Sequence, residues 1–316
     1  MPTAATFVAA LVVGLIVTPI VRGAARRAGL LDQPGGRKVH RSPVPRLGGV
    51  GMAIAFGVAL GVAALIAPDL GAGGILTPNR APAILAGVSA LVVVGVIDDT
   101  RGMRASAKLA LQVAAAALAW ALGLRVDLLF FPWGVVEMGL LSLPVTVAWI
   151  VGVMNAINLI DGLDGLAAAV VLGVLAAFAL IVAPGGMDPA LFIIAATGGA
   201  ALGFLAYNLH PASIIMGDTG SMFLGFVIAA IGISLTQDGA PPVSPYVPII
   251  ALGVPILDTV WAIVRRAARG GAIFVADRGH IHHQLLRRGL SQRDAMLILT
   301  AVSAALAMTA VFLARL

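Results

Sequence analysis

The chain has 316 residues, of which 60% are hydrophobic and 11% charged, and its mean hydropathy is +1.05. Those proportions exclude a soluble globular domain and define an integral membrane protein. Cysteine is absent, which excludes a disulfide framework, a thiolate metal site and a thiol nucleophile, and the formal charge of +6 suits orientation in a bilayer as well as an acidic partner.

The first stretch, "MPTAATFVAALVVGLIVTPIVRGAARRAG", has an apolar core with no basic residue before it, so a retained first helix is expected in place of a cleaved signal. Its arginines follow the apolar core, which predicts an outer N-terminus and a cytoplasmic first loop. Runs of about 20 apolar residues then predict spans near 4–21, 47–67, 82–97, 106–123, 141–157, 165–183, 190–207, 220–236, 245–264 and 295–314. The expectation is an all-α integral membrane protein of about ten transmembrane helices, with both termini outside. No internal repeat or linker divides it, so residues 1–316 are expected to form a single polytopic domain.

Allotting charges to sides supports that direction. Arg22, Arg26, Arg27, Arg37, Lys38, Arg41, Arg46, Arg101, Arg104, Lys108, Arg265, Arg266, Arg269, Arg278, Arg287, Arg288 and Arg293 fall on the cytoplasmic side. Only Arg80, Arg125 and Arg315 fall outside, which is the positive-inside bias of a plasma-membrane protein. The segments "DQPGGRKVHRSPVPRLGG", "DDTRGMRASAK", "NAINLIDGLDG", "YNLHPASIIMGDTGS" and "ADRGHIHHQLLRRG" then share the cytoplasmic face. Acids, amides, bases and histidines converging at a membrane surface suit a metal-bound phosphate ester.

Asp98 and Asp99 end an apolar run, where a helix C-terminus already carries partial negative charge. Either one caps the helix beginning near Ala105 or closes the turn, or the pair holds a cation or accepts a proton beside Arg101, Arg104 and Lys108. In "NAINLIDGLDG", Asn155, Asn158, Asp161 and Asp164 recur every third residue before Gly162 and Gly165 loosen the helix, a pattern suited to a hard cation or a nucleotide as well as to a polar turn. Asp218 opens the next apolar run, where capping by Asp218, Thr219 or Ser221 can coexist with metal binding. His280, His282 and His283 lie in a basic loop beside Arg278; their spacing matches no zinc framework, and binding of a diphosphate fits better. Asp258, in "GVPILDTVW", falls inside a predicted span, where an acid is either functional or part of a structural network.

In this order, "RKVHRSPVPRLGG", "DD" with "AKLALQ" downstream, "NAINLIDGLDGLA", "NLHPASIIMGDTGSMFLG", "GVPILDT" and "ADRGHIHHQLLRRG" resemble the polyprenyl-phosphate N-acetylhexosamine-1-phosphate transferases over almost the whole chain. "HIHH" followed by "LLRRGLSQRDA" is more similar to the branch using UDP-N-acetylglucosamine than to the one using UDP-N-acetylmuramoyl-pentapeptide. One departure is visible: many relatives continue the acidic pair to a further Asp, whereas "DDTRGM" has Gly102 and Met103 there.

The resemblance implies attack of a polyprenyl phosphate such as undecaprenyl phosphate on the β-phosphorus of a UDP-N-acetylhexosamine. The products are UMP and a polyprenyl-diphospho-sugar, the first intermediate of a lipid-linked cell-envelope glycan. It implies Mg²⁺, with Mn²⁺ as a substitute, and an active site on the cytoplasmic face of a bacterial inner membrane. By the same resemblance Asp98 or Asp99 assists the acceptor phosphate, Asn158 and Asp218 hold the metal, Lys108 meets phosphate and Asp164 contacts uracil. Asn155 and Asp161 join the substrate site, and Asn208, Arg278, His280, His282 and His283 contact the nucleotide-sugar diphosphate. The expected partners are these substrates, the bilayer and a second copy in a homodimer, with no nucleic acid. A proton-coupled secondary transporter is the rival of another class; it would favour acids near mid-bilayer and repeated halves, and neither is visible.

Overall fold

In hydrocarbon a backbone must satisfy its own hydrogen bonds, so long apolar runs become helices. The computed structural model describes residues 2–35, 42–67, 80–185, 189–238, 242–268 and 279–316. Its helices are α1 (Pro2–Arg27), α2 (Gly48–Ile66), α3 (Ala81–Arg101), α4 (Ala105–Ala121), α5 (Ser142–Ile160), α6 (Leu166–Val182), α7 (Pro189–Asn208), α8 (Gly217–Gln237), α9 (Tyr246–Ala251), α10 (Gly253–Ala268), α11 (Ile281–Arg287) and α12 (Gln292–Leu313). Nine of the ten spans expected from the sequence each fall on one of them. Among the described residues seven, α1, α2, α3, α5, α7, α8 and α12, are long and apolar enough to cross a membrane, and α4 and α6 are shorter apolar helices. The protein is a multi-pass helical membrane protein.

One expected span differs. The run near 245–264 is broken at Leu252 into α9 and α10. Pro255, in the first turn of α10, has no N–H to bond to the carbonyl of Ala251, so the ladder cannot run straight through. Two small antiparallel ribbons join the helices. In one, β1 (Leu31–Asp32) pairs with β2 (Val44–Pro45); in the other, β3 (Leu128–Phe131) pairs with β4 (Gly134–Glu137), Leu128 opposite Glu137. Gln237 at the end of α8 pins the second ribbon, accepting from the N–H groups of Asp127 (3.0 Å) and Leu128 (3.1 Å) and donating to the Leu128 carbonyl (2.7 Å).

Helix α8 is the axis of the bundle. Its sequence, "GDTGSMFLGFVIAAIGISLTQ", is apolar all round, as a helix enclosed on every side requires, and it is buried along nearly its whole length. It packs on α2, α3, α5, α6 and α7. Close approach depends on glycine. A Cβ at Gly95 of α3 or at Gly49 of α2 would overlap the backbone at Thr219 or Gly220, and a Cβ at Gly225 would lie 2.6 Å from the Cα of Met154 in α5. Without these glycines the first turn of α8 could not lie between α2 and α3.

Gly95→Ala should therefore destabilise the protein by about 1–3 kcal/mol, the scale of overpacking in a filled core. Gly57 of α2 has nothing within 4 Å of its would-be Cβ, so Gly57→Ala should leave stability unchanged or raised. Thermal unfolding of both variants in detergent checks the contrast.

Candidate active site

The site is built around the first turn of α8. The segment leading into α8 is laced to the chain entering α2: the Ile215 N–H donates to the Pro45 carbonyl (2.9 Å), and the N–H groups of Gly48 and Gly49 donate to the carbonyls of Ile215 and Met216 (3.0 Å each). Gly217 then turns the chain at φ +72°, a conformation that favours glycine. No side chain of the segment caps α8. The cap comes from α3. Asp99 accepts from the Asp218 N–H through Oδ1 (2.9 Å) and from the Thr219 N–H (3.0 Å) and hydroxyl (2.6 Å) through Oδ2.

This arrangement explains a carboxylate at the end of an apolar helix. Asp99 is misplaced for the dipole of its own helix but well placed for the positive end of α8, which needs acceptors for its unpaired N–H groups. Capping is thus its contact, though of a helix far along the chain and not of α4. Asp98 points elsewhere. Its Oδ1 accepts from the Met103 N–H (2.8 Å), closing the turn after α3, and its Oδ2 lies 3.1 Å from the Lys108 ammonium. Lys108 also donates to Asp218 Oδ1 (2.5 Å), which accepts from the Asn158 amide as well (2.6 Å); Asn158 donates a second bond to the Ser221 hydroxyl (2.9 Å). One cation thus joins Asp98 and Asp218.

Beyond the end of α5, the loop 161–165 completes the floor. Gly165, at φ +78°, opens α6, and its N–H donates to Asn208 Oδ1 (3.0 Å) while Asn208 Nδ2 donates to the Ile214 carbonyl (2.9 Å). Asn208 therefore fastens the loop to the segment before α8. Asp164 Oδ2 accepts from the Ala212 N–H (3.1 Å) and lies 2.7 Å from His210 Nδ1.

Together these elements line a cleft of about 290 Å³. Asp99, Asn158, Asp161, Asp164, Asn208, Asp218 and His283 all border it, so seven of the residues singled out in the sequence meet there. Asp98 and Lys108 stand beside it, in contact with Asp218. Asn155 does not border it: its amide donates to Gln112 Oε1 (2.9 Å) and to the Val151 carbonyl (2.8 Å), tying α5 to α4. His280 and His282 are buried behind His283. Arg278 lies outside the described residues, as do Arg37, Lys38, Arg41 and Arg269 of the basic segments. The structure adds Asp32 and Arg46, ion-paired across the first ribbon on the cleft wall. Both flank "QPGGRKVHRSPVP", and an acid and a base bracketing a Pro- and Gly-rich stretch were the available signal.

Carboxylates dominate this cleft, and one of them is poorly compensated. Asp161 accepts no hydrogen bond among the described residues. Burial, then the charges of Asp218, Asp99 and Asp164, push its carboxyl up to about 7. No three His, Asp or Glu side chains among the described residues form a ready-made metal cage. A site of one or two carboxylates is nonetheless what Mg²⁺ uses when substrate phosphates and water complete its shell. Asp218, Asn158 and Asp161 present oxygens of the required hardness, so the donor set fits that ion.

Helices long enough to cross a membrane, with a carboxylate-rich cleft among them, define a multi-pass membrane protein with an acid-lined polar site. A family model described as "Glycosyl transferase family 4" matches residues 81–236. The "Probable undecaprenyl-phosphate N-acetylglucosaminyl 1-phosphate transferase" of Bacillus subtilis is 41% identical over 313 residues, covering 97% of this chain and 84% of that protein. The "Decaprenyl-phosphate N-acetylglucosaminephosphotransferase" of Mycobacterium tuberculosis is 36% identical over 92% of this chain and 77% of its own. The "Undecaprenyl-phosphate alpha-N-acetylglucosaminyl 1-phosphate transferase" of Escherichia coli is 28% identical over 90% of this chain and 77% of its own. The chain belongs to this family, the polyprenyl-phosphate N-acetylhexosamine-1-phosphate transferases.

The raised carboxyl of Asp161 has a consequence for stability. Between the ordinary carboxylate range and about 7, the folded protein holds a proton that the unfolded chain has released, so this contribution is complete below the unfolded value and is lost as pH rises through about 7. Asp161→Asn, which cannot ionise, should therefore raise the thermal midpoint in metal-free detergent at pH 8 and change it much less at pH 5. Equal shifts at both pH values would contradict the assignment.

Proposed function

We propose that the protein transfers N-acetylglucosamine-1-phosphate from UDP-N-acetylglucosamine to undecaprenyl phosphate or a similar polyprenyl phosphate. The transfer takes place at the cytoplasmic face of a bacterial plasma membrane, within about ten spans, with Mg²⁺ as cofactor. The observation that carries the reading is the cluster at the buried start of α8, where the Lys108 ammonium joins Asp98 to Asp218 beside a cleft of carboxylates. The family supplies the reaction class, and the relatives' names supply the sugar and the lipid. The distribution of Lys and Arg supports the side.

In the transfer an oxygen of the polyprenyl phosphate attacks the β-phosphorus of the nucleotide sugar, the bond to the bridging oxygen breaks, and UMP leaves with the electron pair. Asp218 and Asn158, with Asp161 near, would hold Mg²⁺, which would supply positive charge to the diphosphate and the leaving group. Lys108 offers its ammonium to a phosphate oxygen, and Asp98 and Asp218 hold that ammonium in place. Asp99 accepts from α8 with both carboxylate oxygens, which suits it to placing Asp218. Asp98 is engaged as well, by the Met103 N–H and the Lys108 ammonium, and its assignment to the acceptor rests on that contact with Lys108 beside Asp218. Asn208 and Asp164 shape the loop against which the nucleotide lies.

Purified protein with radiolabelled UDP-N-acetylglucosamine, undecaprenyl phosphate and Mg²⁺ should form a labelled lipid and UMP. Asp98→Asn should slow transfer by about 10²- to 10⁴-fold with the fold intact, the range for loss of a positioned acid or base. Asp218→Asn should abolish turnover or shift its Mg²⁺ requirement. A lipid product only from UDP-N-acetylmuramoyl-pentapeptide, or wild-type turnover in both variants, would overturn the reading.

A further inference from the structure

Asp258 is buried, and its contacts lie outside the cleft. It sits on α10, yet its carboxylate is committed to the segment that follows residues 269–278: Oδ2 lies 2.8 Å from His280 Nδ1, and Oδ1 accepts from the Ile281 N–H (2.8 Å). The Asp258 side chain is 1% exposed and that of His280 7%. From His280 a stack of rings leads to the cleft. His280 and His282 lie parallel, 8° apart in plane with centroids at 5.8 Å, and His282 meets His283 at 4.3 Å. His283 borders the cleft.

The middle ring is seated on the acidic loop. His282 lies so close over Gly162 that a Cβ there would overlap its imidazole, and its buried Nδ1 has no hydrogen-bond partner among the described residues. Burial, reinforced by His283, lowers its pKa to about 4, so the ring is neutral at physiological pH and packs as an apolar plate. The glycine of "LIDGLD" and the middle histidine of the "HIHH" run are thus two halves of one contact.

We propose that Asp258 is a positioning residue for the nucleotide-sugar side of the cleft: by fixing His280 and the start of α11, it seats His282 on Gly162 and holds His283 at the cleft wall. This rests on the reaction proposed above only for what His283 meets, a diphosphate oxygen of the donor. The seating itself is a property of the chain. The two outer histidines have separate tasks, His280 as the buried anchor and His283 as the contact.

Two measurements test this, one of them without substrate. Carbethoxylation by diethyl pyrocarbonate, mapped by mass spectrometry, should spare His282 in the wild type and label it at least about tenfold faster in Asp258→Ala, and likewise in Gly162→Ala, which displaces the ring from the opposite side. In the transfer assay, Asp258→Ala should raise KM for UDP-N-acetylglucosamine by about 10- to 100-fold, the equivalent of one hydrogen bond to a charged group. The change in kcat should be small, and Asp258→Asn, whose Oδ1 can still accept from Ile281, should restore most of the affinity. Added to His283→Ala, Asp258→Ala should cost little more, since both act through one imidazole. Unchanged labelling of His282 in both folded variants overturns the proposal whatever the reaction proves to be. Fully additive KM effects overturn its functional half. Absence of transfer by the wild type would refute the reaction and leave the labelling result to decide the seating.

Discussion

The start of α8 lies between packed helices at the edge of the cleft, and a carboxylate from another helix meets its free N–H groups. Much else follows from that interaction. Asp99 can reach the Asp218 and Thr219 N–H groups only if α3 and α8 nearly touch, which is why Gly95 faces Thr219 and Gly49 faces Gly220. Gly217 is needed because a Cβ there would run into the Asp99 carboxylate. The same docking brings Asp218 beside Asn158 of α5 and Lys108 of α4, so packing and site are set by one contact. Asp98, the next residue back, is carried to Lys108 on the neighbouring side of its helix end.

A similar solution occurs at α11, where Asp258 of α10 receives the Ile281 N–H and fixes His280. In both places an acid inside an apolar helix serves the start of a different helix. Once those two acids are accounted for, the acids bordering the cleft divide into partnered and unpartnered. Asp32 is paired with Arg46, Asp164 is held by Ala212 and His210, and Asp218 by Lys108 and Asn158. Asp161 is left facing the charges of Asp218, Asp99 and Asp164.

The helices were legible in the sequence because twenty-residue apolar runs have few other fates in a bilayer. The break at Leu252 was less so, since hydropathy averages over Pro255 and only the missing N–H reveals it. Cap residues are sought in sequence within three positions of a helix start, whereas Asp99 and Asp218 are 119 residues apart, so the partner of Asp99 could not be read locally. Spacing grouped Asn155 with Asn158, but one helical turn aims the first at α4 and the second at α8. It likewise grouped three histidines, of which only His283 borders the cleft; burial, which composition does not encode, separates them. Asp32 and Arg46 lie in a segment the sequence singles out, but neither stands out within it as a site residue until the ribbon pairs them.

The claim on which the rest depends is that Asp99 holds the first turn of α8. Amide hydrogen exchange of the protein in detergent, read at residues 217–222 for wild type and Asp99→Ala, addresses it directly. The account predicts that exchange at Asp218 and Thr219 accelerates strongly in the variant while the middle of α8, enclosed on all sides, stays protected. Wild-type protection of those two amides in Asp99→Ala would contradict it.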